Sequence, residues 1–158
     1  MRLSESDQEE RHRAAEFMDY AASLIEEHGW LQGKRGSFAA GFCAMGSLDE
    51  AIRQARLSAF REDELTESGF DKTTLRWVRN IDAYAASDFR RSLLRNLTEW
   101  LIAEGEQSRS FHERSELGSV LAYSAIVWND EPERRESDVV NALRKAAITL
   151  RESVSDLG

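Results

Sequence analysis

Phe42-Cys43-Ala44-Met45-Gly46-Ser47-Leu48-Asp49-Glu50-Ala51-Ile52 follows a glycine-rich loop, opens a helix and holds the chain's only cysteine. The helix is expected over 42–60, because Ala44, Leu48, Ala51, Ile52, Ala55 and Ala59 recur at spacings of three and four and share one face. That face is made mostly of small side chains, which let neighbouring segments approach closely. A glycine inside a helix costs about 1 kcal/mol relative to alanine. Gly46 is therefore best explained by a helix or an aromatic ring crossing at that point. The stretch reads as a central helix to which the first helix and the last two are fitted. Arg53, Arg56 and Arg61, then Glu62, Asp63, Glu64 and Glu67, mark its solvated end and an exposed connection.

Upstream, a helix is expected over 7–28. Ser6 with Glu9 matches a capping box, and acidic residues fill the first turn, where the helix dipole favours them. Ala14, Phe17, Met18, Ala21, Leu24 and Ile25 form its apolar stripe, and Gly29 stands where helices commonly stop. Residues 30–41 read as a loop, since four of the nine glycines (29, 33, 36 and 41) lie between 29 and 41. Such a loop feeding a helix can hold an anion on its backbone amides. The spacing, however, matches neither a P-loop nor a dinucleotide fingerprint, and no strand precedes it. The simpler reading is that the glycines let the chain turn and lay Trp30 and Phe38 onto the core.

Downstream, Leu75, Val78 and Ile81, with Trp77 beside them, indicate a short helix over 73–83. Ser87 is the expected cap of a longer one over 88–104, carrying Phe89, Leu93, Leu94, Leu97, Trp100 and Leu101. Lys72, Arg76, Arg79, Arg90, Arg91 and Arg95 make this the one locally basic region. Asp71, Asp82 and Asp88 interleave with them, so a solvated face, or one paired with acidic residues of the first helix, is expected. Residues 105–111 read as a loop, and a helix follows over 114–128 with Leu117, Val120, Leu121, Ser124 and Val127. It closes at Trp128-Asn129-Asp130-Glu131-Pro132, where Asn129 can adopt the left-handed conformation and Pro132 prevents continuation. Ser137 is the expected cap of a last helix over 138–154, burying Val139, Val140, Leu143, Ala146, Ala147 and Leu150. The sum is an all-α, single-domain bundle of about six helices with no clear strand.

Composition agrees. The chain has 158 residues, 41% hydrophobic and 32% charged, with one proline. That suits one domain with a real core, rich in helix. A net charge of −8 disfavours direct binding to nucleic acid or to an anionic membrane. A single cysteine gives no intramolecular disulfide, no apolar run reaches transmembrane length, and residues 1–10 lack the apolar core of a signal peptide. The expected location is the cytoplasm.

Three segments carry a resemblance. They are Leu24-Ile25-Glu26-Glu27-His28-Gly29-Trp30-Leu31-Gln32-Gly33, then Cys43-Ala44-Met45-Gly46-Ser47-Leu48-Asp49-Glu50-Ala51, then Trp128-Asn129-Asp130 followed by Asp138-Val139-Val140-Asn141-Ala142-Leu143-Arg144-Lys145-Ala146. Together they resemble a family of small bacterial and bacteriophage domains of unknown function. It is marked by a Gly-Trp-x-x-Gly turn, a Cys-Ala-x-Gly-x-Leu-x-x-Ala helix and a Trp-Asn-Asp turn. The resemblance covers roughly 14–55 and 117–150 and implies a helical fold and no activity. Residues 56–116 then read as an elaboration of the family core.

The chemical candidates are few. Cys43 near a helix N-terminus is placed for a lowered pKa, as a thiolate nucleophile needs, with His12, His28 or His112 as base and Asn129 or Asp130 to orient it. The contrary reading is a small buried hydrophobe. Glu9-x-x-His12 has the spacing of a metal-ligand pair, but no second such pair exists, so no metal and no cofactor are expected. Trp128 is read as a buried anchor whose indole N–H reaches a nearby carbonyl or carboxylate. Trp30, Cys43, Asp49, Trp128, Asn129 and Asp130 are the candidate pocket or interaction residues, with none assigned as catalytic. Two functions follow. One is a non-enzymatic interaction or regulatory module with a protein partner or a second copy. The other is a small-molecule enzyme or binding protein with a pocket near Cys43 and the Gly29–Gly41 loop.

Overall fold

The chain enters its first helix at Ser4, whose hydroxyl accepts the Asp7 N–H at 3.1 Å and donates to the Asp7 carboxylate at 2.7 Å. The computed structural model describes residues 4–34, 36–61, 69–106 and 125–155. Helix α1 spans Glu5–His28, so the expected Ser6–Glu9 box is displaced by the pair two residues earlier and Ser6 lies inside the helix. Gly29 ends α1 with φ 97° and donates its N–H to Ile25 O at 2.7 Å. The anticipated stripe of α1 is buried.

The loop after α1 contains a small hairpin that the sequence did not announce: β1 (Gly36–Ser37) pairs antiparallel with β2 (Gly41–Phe42). Gly41, at φ 95°, lies so close to Gly29 that an added Cβ would sit 2.6 Å from the Gly29 carbonyl oxygen. Phe42 then brackets the end of α1, donating to Gly29 O at 2.9 Å and accepting from Leu31 N at 3.1 Å. Phe42 is buried, whereas Phe38 stays 45% exposed and packs edge-on against His28 and Phe42, not onto the core as expected.

Helix α2 spans Ala44–Ala59, with Cys43 as its N-cap. Its anticipated face is buried, and Gly46 is buried in the first turn. Helix α3 runs Lys72–Asn80 and α4 runs Ala83–Ala103. Asp82, not Ser87, caps α4, accepting Ala85 N–H at 2.8 Å. This adds a turn to α4 and places Ser87 within it. Residues 125–129 are helical, and α5 spans Glu136–Ser155. Ser137 likewise falls inside α5, where the Asp138 carboxylate reaches back to Arg135 N–H at 2.9 Å. The anticipated helix segment 114–124, with Leu117, Val120, Leu121 and Ser124, the acidic run at 62–67 and His112 lie outside the described residues.

The most extensive packing joins α1 to α5, and α2 packs on α1, α3 and α4. Among the described residues the last helix packs mainly on α1 and not on α2, which it was expected to meet. The pair is antiparallel, since Asp19 meets Arg151 while Glu26 meets Arg144. These acidic residues of α1 therefore pair with α5, not with the basic residues of α3 and α4.

Phe17 links the halves, its ring 5.1 Å from Phe70 and 5.0 Å from Phe89. Burying such a ring contributes roughly 1.5–3 kcal/mol. Glu16 fixes α3, because its carboxylate accepts Asp71 N–H at 3.1 Å and the Thr74 hydroxyl at 3.0 Å while the Asp71 side chain makes no cap bond. The architecture is an all-α domain with one two-residue hairpin among the described residues. No helix among those residues is long and apolar enough to cross a membrane.

Candidate functional site

Asn129 is the point at which the distant segments meet. It is 1% exposed, and each side of its amide is used twice. Oδ1 accepts the Trp30 indole N–H at 2.8 Å and the Ala44 backbone N–H at 3.1 Å. Nδ2 donates to Leu31 O at 3.1 Å and to the Asp130 carboxylate at 2.9 Å. Asp130 in turn accepts Gly33 N–H at 2.9 Å. A primary amide offers two donors and a two-lone-pair acceptor, so Asn129 is fully satisfied. Ala44 is the first residue of α2, whose leading N–H groups have no partner within the helix. Asn129 supplies one from across the chain.

Cys43 supplies another. Its Sγ accepts Gly46 N–H at 3.2 Å, and its carbonyl accepts Ser47 N–H at 2.9 Å. The thiol is buried, and burial pushes its pKa up. Asp130 and Asp49 push it the same way, and the amides of Gly46 and Met45 only partly oppose them. Desolvation thus opposes the lowering that a helix N-terminus offers. His28, one of the candidate bases, stacks edge-on to Phe38 with ring centroids 4.9 Å apart, and His12 is exposed.

Trp128 is 1% exposed and covered by Arg134, whose guanidinium carbon lies 4.0 Å from the ring centroid. Arg134 also donates to Trp128 O at 3.0 Å and to the Glu131 carboxylate at 2.7 Å. The ring is an anchor, as expected. Its N–H, however, has no acceptor among the described residues, and the indole–polar contact anticipated for Trp128 is made there by Trp30. Asn129 is helical and no non-glycine residue described has positive φ, so the left-handed turn expected there does not form. A buried side chain with four bonds holds that position.

Asp49 stands apart, paired with Arg90 of α4 at 2.6 Å. Gln32 was missed. Its amide donates to Asn129 O at 3.1 Å and to Glu131 O at 2.7 Å, tying the two turns together a second time. The signal for it was its place inside the Gly-Trp-x-x-Gly turn. Among the described residues, no group of three or more His, Cys, Asp or Glu side chains is arranged to hold a metal.

The fold and this cluster define an all-α domain whose two turns are latched through one buried amide. Residues 9–149 match DUF6197, a family of unknown function, and the chain belongs to it. No curated protein and no solved structure matches the chain.

Proposed function

We propose that the chain is a non-enzymatic protein-interaction or regulatory module that acts through its helical surface. The observation that carries this reading is what the signature residues are used for. Trp30, Ala44, Leu31, Gly33 and Asp130 bond to one another or to Asn129, and Cys43 is buried in a cap. Groups so engaged hold a shape and are not turned toward a substrate. Partner surface is available at Phe60, 66% exposed, and at Tyr84, 82% exposed. We place the protein among cytoplasmic accessory domains of bacteria or their phages, with residues 56–116 as an elaboration and a protein partner or a second copy as its target.

The competing reading, a small-molecule enzyme or binding protein with a pocket near Cys43 and the Gly29–Gly41 loop, has less support. Among the described residues, a concavity of about 610 Å³ is lined by none of the candidate residues, and one of about 510 Å³ is lined by Asp130 but by neither Cys43 nor any residue of that loop. Two measurements decide between the readings. A thiol reagent at neutral pH is expected to label Cys43 only as fast as the protein unfolds. A photo-crosslinker at Tyr84 or Phe60 is expected to trap one defined protein or a second copy. Rapid labelling of native Cys43, with loss of a turnover when it is replaced, overturns the proposal.

A further inference from the structure

We draw no further inference here: the strongest candidate, the exposed apolar surface patch of Leu57 and Phe60 at the C-terminal end of α2, carries nothing, because nothing among the described residues shows what covers it.

Discussion

Asn129 lies 99 positions from Trp30 in the chain, yet its Oδ1 takes the Trp30 indole N–H at 2.8 Å while also serving Ala44 at the head of α2. One amide thereby secures the turn after α1, the start of α2 and the turn before α5.

Replacing Asn129 with alanine leaves the Trp30 and Ala44 N–H groups and the Leu31 carbonyl without their partner. Each buried polar group so orphaned costs about 1–3 kcal/mol. We expect Asn129→Ala to lower the unfolding free energy in urea by about 3–5 kcal/mol, allowing for partial access of water. Asn129→Asp keeps the acceptor but turns a carboxylate toward Leu31 O and Asp130. It should be less stable still at neutral pH and recover as acid protonates it. A loss under 1 kcal/mol for the alanine variant would show that the latch contributes little.

Cys43 serves α2 as a cap. Cys43→Ala removes the acceptor for Gly46 N–H and should cost about 1 kcal/mol, the usual worth of an N-cap. Cys43→Ser keeps an acceptor there and should recover most of that loss. Thermal unfolding of the pair measures the difference, and identical midpoints for both variants would dismiss the capping role.

Two glycines in the same loop should respond differently to alanine. At Gly41 the new Cβ meets the Gly29 backbone at 2.6 Å, whereas at Gly33, with φ 76°, nothing among the described residues lies within 4 Å. Gly33→Ala bears only the left-handed strain, about 1 kcal/mol. Gly41→Ala must also move backbone and should cost at least twice as much. The check is the order of their urea midpoints, and the reverse order would contradict the close approach of β2 to α1.

Glu16 links stability to pH. Burial raises its carboxyl pKa above the ordinary 4.5, although the Asp71 N–H and Thr74 hydroxyl pull it back in part. A pKa raised by folding means that this group's contribution is fully present below the unfolded value. It is lost as pH rises through the folded one. The stability of the parent relative to Glu16→Gln should therefore fall as pH climbs from about 4.5 into the raised range. A difference that stays flat, or grows with pH, would put the carboxylate in a better-solvated setting than the structure shows.

The apolar stripes were mostly legible because helical period sorts buried from exposed: Phe17, Leu48, Leu93 and Leu143 fall inside, whereas Val127, expected on an inner face, is 45% exposed and Val140 and Leu150 are only half-buried. The helix starts were not. Ser6, Ser87 and Ser137 each look like caps, and each lies within a helix, because Ser4, Asp82 and Arg135 stand one or more residues upstream of it and begin the helix there. Candidate caps a few residues apart cannot be ranked by residue type alone. The caps supplied from elsewhere were invisible for a different reason. Asn129 reaches α2 across 85 residues and Glu16 reaches α3 across 55, and no local pattern records such a meeting. The signature segments were visible as segments, but their convergence on one amide required coordinates.

The pairing of α1 with α5 carries a consequence for biosynthesis. As the ribosome delivers the polypeptide, α1 emerges well before α5, the helix with which it makes its most extensive contact among the described residues. Until then the nascent chain presents a greasy, unmatched ridge. Its exposure to chaperones, or to a neighbour on the same polysome, lasts until α5 has been made.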